Sequence, residues 1–251
     1  MGGWEFWAVA TVAAVMTGMG KGGLPIVGAL VVPLLSLVIS PVVAAGLMLP
    51  VYVVSDWFGL YAYRKEFDRR VLTIAIAGLT IGIGLGWATA SVVPESRVTA
   101  LVGVISVAFA LNQLLRKPAV AAPRRAEVGP GLAWCSVAGF TSFVSHTGGP
   151  PYQVWTLPLG MRKAAFAGTS TIAFAYANAV KLVPYYFLGQ INLQSLELAA
   201  MLIPVAAASV FLGVWLVKVL PEKLFFRVVT WSLLIIGAQL VWKGLSAALG
   251  H

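Results

Sequence analysis

The sequence predicts an all-α integral membrane protein made of two inverted repeats. Each repeat is a broken re-entrant helical hairpin followed by three transmembrane helices. Three observations lead there. The chain is 60% hydrophobic and only 10% charged, with a mean hydropathy of +0.92. A soluble domain carries about 25% charged residues, so this composition could not cover a water-facing surface. Apolar runs near the ~20 residues that cross a bilayer recur along all 251 residues and leave no room for a soluble domain. The two halves also repeat one another at a nearly constant offset. Gly22-Gly23-Leu24-Pro25 returns as Gly148-Gly149-Pro150-Pro151, Gly46 with its alanines as Ala167-Gly168, and Pro94-Glu95 as Pro221-Glu222, while Asp56 falls opposite Asn178.

The first repeat is assigned to 1–115, a cytoplasmic connector to 116–130 and the second repeat to 131–251. Segments 4–19 and 24–39 are the arms of the first hairpin, broken around Lys21 to Pro25. Each arm is long enough nearly to span, so length alone leaves open whether this hairpin crosses or re-enters. Segments 41–63, 71–92 and 97–115 are the three spans that follow. The connector is polar and rich in proline: Arg116, Lys117, Pro118, Pro123, Arg124, Arg125, Glu127 and Pro130. Segments 131–145 and 150–160 form the second hairpin. Eleven residues at about 1.5 Å each cover roughly 17 Å, about half of a ~30 Å core, so the second arm must turn back. Segments 164–188, 194–217 and 223–248 complete the second repeat.

The charge pattern supplies the inversion. Of the 17 basic residues, 13 gather at four places: 64–70, the connector, Arg162-Lys163, and the Pro221 turn with Lys218, Lys223 and Arg227. Short loops rich in Lys and Arg face the cytoplasm. Loop 92–97 has a single Arg and loop 187–195 has neither Lys nor Arg, so both read as outside. Loop 64–70 is thus inside while its partner near 187–195 is outside, and loop 92–97 is outside while its partner near 218–223 is inside. Opposite orientation requires an odd number of crossings per half, which three full spans satisfy. The same clustering accounts for the net charge of +9 and argues against nucleic acid as a partner.

The breaks are where chemistry is expected. A helix that ends in hydrocarbon leaves amides and carbonyls that must find partners in protein or in a watery cavity. Glycine lets backbone approach a ligand closely, and proline at a helix start gives up no needed donor. The N–H groups that open each second arm suit an anion, with help from the helix dipole. Lys21 at the first break and His146-Thr147 at the second add donors. Matched breaks in two repeats are the best sequence pointer to a transport site. The substrate-binding candidates are therefore Gly20, Lys21, Gly22, Gly23, His146, Thr147, Gly148, Gly149 and Tyr152, with Thr171 and Asn178 on one face of segment 164–188.

Asp56 is the acid placed well inside a span, which makes it a functional candidate by default. It reads either as a coupling residue that carries a proton or as a structural counter-ion for Lys21 or a loop arginine. Lys181, three residues past Asn178, either snorkels to the headgroups or lines the site. Ser142, Ser145, Thr169 and Ser170 are expected mainly to bond helix carbonyls. Most of the nine tryptophans read as interfacial anchors, with Trp155 the exception. Cys135 is the one cysteine, which excludes an intrachain disulfide and a cysteine metal site. With no basic n-region and with Glu5 acidic, the N-terminus is not expected to be a cleaved signal.

The pattern resembles the TauE/SafE sulfite exporter family. The residues that carry the likeness are Thr17-Gly18-Met19-Gly20-Lys21-Gly22-Gly23-Leu24-Pro25 and Ser145-His146-Thr147-Gly148-Gly149-Pro150-Pro151, supported by Asp56 and Gly168-Thr169-Ser170. The resemblance covers essentially the whole chain. It implies a multi-pass transporter of the bacterial inner membrane that moves sulfite or an organosulfonate, commonly outward. It implies no catalytic residue, no metal and no cofactor. The expected mechanism is alternating access by rocking of the two repeats around a site where the broken hairpins meet. A channel-like anion pore is the alternative. An intramembrane hydrolase using Ser145 or Ser142 with His146 is disfavoured, because adjacent helix residues point about 100° apart. No nucleotide-binding motif is present, so ATP would have to come from another chain. The expected partners are a small-molecule anion and the lipid bilayer, with a homodimer as an open assembly.

Overall fold

The structure is a computed structural model, and it describes residues 3–24, 27–28, 30–35, 38–39, 41–90, 95–115, 124–189 and 191–249. Pro25, Pro94, Arg116, Lys117, Pro118 and Pro123, all used above, lie outside the described residues.

The described chain is helical, without strands. The helices are α1 (Trp4–Lys21), α2 (Val31–Leu35), α3 (Pro41–Tyr63), α4 (Arg69–Ala88), α5 (Glu95–Leu115), α6 (Val128–Ser145), α7 (Gly149–Thr156), α8 (Lys163–Phe187), α9 (Leu193–Val219) and α10 (Glu222–Leu249), with a 3₁₀ turn at Leu157–Leu159 after α7. Among the described residues, four helix stretches are long and apolar enough to cross a membrane: Val43–Tyr63, Arg69–Ala88, Ser195–Val219 and Glu222–Ala247. The other two expected spans, 97–115 and 164–188, are helices of 21 and 25 residues. The second of these carries Thr169, Ser170, Thr171, Asn178 and Lys181, which dilute its hydropathy.

Local chemistry explains several boundaries. Asp68 caps α4 by accepting from the Val71 amide at 2.9 Å, and Asn192 and Ser195 form a reciprocal capping box at the start of α9. Helix α6 starts at Val128, so the last three residues of the expected connector are already helical. In its described residues, segment 24–39 is not one continuous helix. The longest helix in its described part is the five residues of α2, with a turn at Leu30 before it and a turn and bend at 38–39 after it. Lys21 closes α1 rather than sitting beyond it.

The chain forms two compact units, and each draws on both halves of the sequence. The first comprises 1–67 and 167–220. In it α1 packs along α9, α9 also packs on α3, and α2 fills in against α1 and α3. Its core includes Phe6, Ala10, Ala13, Val31, Leu35, Leu47, Met48, Leu202 and Ala206. The second unit comprises 68–166 and 221–251. There α4 packs along α6 and α5 along α10, with α7 against α5 and α6.

Lipid tails are as apolar as leucine, so helices in a membrane associate by close approach of small residues. Three of the long pairings here do this. A methyl group on Gly18 of α1, or on Gly22 just past its end, would strike the α9 backbone at Ala206 or Val210. On α4, Gly78, Gly82 and Gly86 meet Cys135, Ser136 and Phe143 of α6. Between α5 and α10, Gly103 meets Gly237 and Val241, and Gly244 meets Ala100. The outward faces hold large apolar side chains, among them Ile81, Leu85, Leu101, Met201, Phe211 and Ile235. Trp4, Trp57, Trp87, Trp215, Trp231 and Trp242 are exposed, while Trp155 is buried, as expected of the exception.

Gly82 and Gly84 give an internal test on one helix. A Cβ at Gly82 would meet the Ser136 carbonyl and the Phe140 amide, whereas one at Gly84 meets nothing within 4 Å. Gly82→Ala should destabilise by about 1–3 kcal/mol through overpacking. Gly84→Ala should be neutral or stabilising, because Ala is the better helix former. Thermal unfolding of both variants in detergent reads the difference, and equal midpoints would contradict the packing.

Candidate functional site

In the first unit, the polar residues expected from the sequence converge on the end of α1. This end is a glycine-closed turn in which Gly23 takes φ 102°, its amide donates to the Gly20 carbonyl (3.1 Å), and the Leu24 amide donates to Met19 (3.2 Å). That bond pattern is the Schellman closure, which wants glycine at the positive-φ position. The Gly22 amide is likewise bonded to Gly18 at 2.8 Å. The amides of Gly22, Gly23 and Leu24 therefore bond helix carbonyls, and what this break presents is the Lys21 side chain and the last carbonyls of α1.

Those carbonyls have partners from two other helices. Tyr63 of α3 donates its hydroxyl to the Gly22 carbonyl at 2.7 Å, and Thr171 of α8 donates to the Lys21 carbonyl at 3.2 Å. The Lys21 ammonium pairs with the Asp56 carboxylate at 2.8 Å and lies 4.9 Å from the centre of the Tyr52 ring. Asn178 donates its side-chain amide to the other Asp56 oxygen at 2.8 Å.

The residues of α3 and α8 meet in opposite order along the two helices. Tyr52 interacts with Tyr185, Asp56 with Asn178, Gly59 packs on Thr171, and Tyr63 on Gly168. Positions 52, 56, 59 and 63 recur at the spacing of one helix face. Gly59 and Gly168 admit this approach, since a methyl at either would hit the Lys21 or the Glu66 carbonyl. Lys181 is buried to 1% exposure. Of its two readings, snorkelling is thereby excluded.

In the second unit, α6 ends at His146, which adopts φ 55°, ψ 23° and is the one non-glycine residue with positive φ among those described. Histidine is among the residues enriched in that conformation, though it costs roughly 1–2 kcal/mol. The amides of His146 and Thr147 both reach the Thr141 carbonyl. Ser145 and Thr147 share a hydroxyl hydrogen bond of 2.7 Å, and Ser145 also reaches the Thr141 carbonyl at 3.3 Å. That network ties Ser145 to Thr147 and the backbone. Helix α7 then begins at Gly149, with Pro150 and Pro151 in its first turn, where a missing N–H is no loss. The Tyr152 amide donates to Gly148 (3.3 Å), which leaves the amides of Gly148 and Gly149 as the first-turn donors facing the break. Tyr152 and Gln153 are buried, and Trp155 closes against Gly131.

The expected site residues thus fall into two groups. Gly20, Lys21, Gly22, Gly23, Asp56, Thr171 and Asn178 gather in the first unit; His146, Thr147, Gly148, Gly149 and Tyr152 form the break of the second. Sequence reasoning passed over Tyr52 and Tyr185 and did not commit Lys181. The signal that could have found them is the helix face shared by Tyr52 and Asp56, and by Asn178, Lys181 and Tyr185.

Long apolar helices with lipid-facing flanks, and charged and polar side chains buried inside them, define a multi-pass membrane protein. Residues 6–240 match the family model described as Sulfite exporter TauE/SafE, and the chain belongs to that family. Its members are exporters of sulfite and related sulfur compounds, membrane transporters rather than enzymes, so a small anion and the lipid bilayer are this protein's partners. No curated protein and no solved structure matches the chain.

The ion pair makes a stability prediction. Removing one member of a buried pair costs about 3–5 kcal/mol, because the other charge stays behind. Asp56→Ala strands two lysines, whereas Lys21→Met leaves Asp56 with Lys181. Asp56→Ala should therefore lower the thermal midpoint in detergent more than Lys21→Met does, and the reverse order would contradict the shared carboxylate.

Proposed function

We propose that the protein is a secondary transporter that exports a small sulfur oxyanion, sulfite or an organosulfonate, across the bacterial inner membrane. The observation that carries this is the buried cluster of Lys21, Asp56, Asn178 and Lys181 at the end of a broken helix, in a chain of the sulfite exporter family. Buried charge within spans marks ion and substrate pathways. In this reading the ammonium of Lys21 binds the anion's oxygens in the first unit, where Thr171 and Asn178 hold the break in place; in the second unit the half-buried His146 and the Gly148 and Gly149 amides are donors of the same kind. Gly20, Gly22 and Gly23 serve by letting α1 end at the first break.

The repeats are inverted, and alternating exposure of the site follows from moving one repeat against the other. Two features support the inversion. The pairing of α1 with α9 and of α6 with α4 exchanges equivalent helices between halves, and Asp56 bonds its own repeat counterpart. Contacts between basic stretches also fit a common side. Arg70 donates to the Ala126 carbonyl (2.9 Å), the Arg124 amide to Pro158 (3.1 Å) and the Lys163 amide to Glu222 (3.1 Å). Cysteines placed at Glu127 and at Leu188 on a Cys135→Ala background should label from opposite faces of intact cells. Labelling of both from one face ends the inversion.

The binding role is tested on purified protein. His146→Ala and Lys21→Ala should each weaken sulfite or sulfonate binding about tenfold or more, the size of a charge-assisted hydrogen bond of about 1.5–3 kcal/mol. Unchanged affinity in folded variants would make the breaks purely structural.

Asp56 is the coupling residue in this proposal. Its counterpart Asn178 does not titrate, so one half can change charge while the other keeps geometry. Asp56→Asn should retain monoanion binding and flatten the pH profile of transport in proteoliposomes. A wild-type profile would remove Asp56 from the coupling role and leave it as the counter-ion of Lys21.

A further inference from the structure

Gln153 takes no assigned part in the second break, yet its side chain reaches that break from within α7. It stands four residues past Gly149, and helix side chains at that spacing lie one above the other on a single face. Its Nε2 lies 3.9 Å from where a Cβ on Gly149 would stand. The residue is 5% exposed, and its Oε1 is buried with no hydrogen-bond partner among the described residues. A buried amide left unmet in this way costs stability, and an apolar side chain of the same shape would not. Holding α7 in place therefore does not account for a glutamine here.

Neither backbone shape nor packing requires the glycine at 149. Its φ is not positive; the described glycines with positive φ are Gly23, Gly160 and Gly189. On Gly78, Gly82, Gly86, Gly131 and Gly139 of the same unit, a Cβ would collide with a neighbouring helix. At Gly149, apart from its chain neighbours and the backbone of α7, the Gln153 nitrogen is the one described atom within 4 Å. Gly149 therefore leaves open room at the first turn of α7, walled by a side-chain amide. The N–H groups of Gly148 and Gly149 open that same turn, and Pro150 and Pro151 behind them carry none. The start of a helix favours an anion.

We propose that Gln153 is a substrate-binding residue: its Nε2 donates to an oxygen of the anion held at the start of α7, and position 149 is glycine to give that oxygen room. The proposal rests on the reading of the second break as an anion site and adds the side chain that completes it. Two backbone N–H groups and one side-chain amide then supply three donors, one for each oxygen of a sulfite or sulfonate.

The test is isothermal titration calorimetry of sulfite and methanesulfonate on the purified full chain, alongside thermal unfolding of the ligand-free protein. Gln153→Met should weaken both anions about tenfold or more. Its ligand-free midpoint should stay at or above that of the wild type, because the unmet amide is gone. Gly149→Ala should weaken both anions to a similar degree by filling the room. Its midpoint should also hold or rise, since the new methyl group meets no clash and alanine is the better helix former. The double variant should bind no more than about threefold more weakly than the weaker single variant, because both changes act on one oxygen. Wild-type affinity in either variant, a lowered midpoint in either, or losses that multiply in the double variant overturn the proposal alone. A wild-type protein that binds neither anion overturns the anion-transport reading, and the proposal with it.

Discussion

An ion pair inside a membrane span is the interaction on which the first unit depends. Lys21 ends α1, and hydrocarbon would tolerate neither its ammonium nor the open carbonyls of the helix end. Asp56 meets the ammonium at 2.8 Å, Asn178 steadies the carboxylate, and Tyr63 and Thr171 close the carbonyls. One broken helix is thus held by side chains of two others. The arrangement explains why α3 and α8 carry polar residues on one face and apolar ones elsewhere, and why Gly59 and Gly168 stand where those helices approach backbone.

The pairings of long helices rest on a different force. With no hydrophobic gain from burying leucine against leucine in lipid, shape decides which helices associate. Glycine ladders on α1, α4 and α10 bring backbones together, and the large apolar side chains are left for the outer faces. The second break has no glycine closure at its turn. His146 itself takes the left-handed conformation, and Thr141 collects the loose donors of the turn on one carbonyl. The two breaks match in sequence and are built differently: the first ends a long helix at a charge, the second starts a short helix behind two prolines.

Much of this was legible in the amino-acid order because a membrane restricts what a chain can do. Composition excluded a soluble fold, apolar run lengths located the long helices to within a few residues, and the recurrence of glycine and proline located both breaks. Asp56 and Asn178 stood out as repeat counterparts before they were seen to bond. Thr171 and Asn178 were placed on one face by helix geometry alone. The first hairpin was less legible. Segment 24–39 has the hydropathy of a span, but the longest helix in its described residues is the five of α2. Hydropathy measures solvent preference, which an interrupted segment shares with a continuous one.

The sequence by itself determined the solvent, the helical class, the family pattern and the residues at which helices must end, because each follows from composition or local spacing. Only the tertiary structure decided what Lys21 and Lys181 do. A lysine near the end of a helix can reach the headgroups or turn inward, and its own segment does not distinguish the two. The choice depends on whether a carboxylate from another helix comes within reach, and that is set by the packing of α1, α3 and α8 around Asp56.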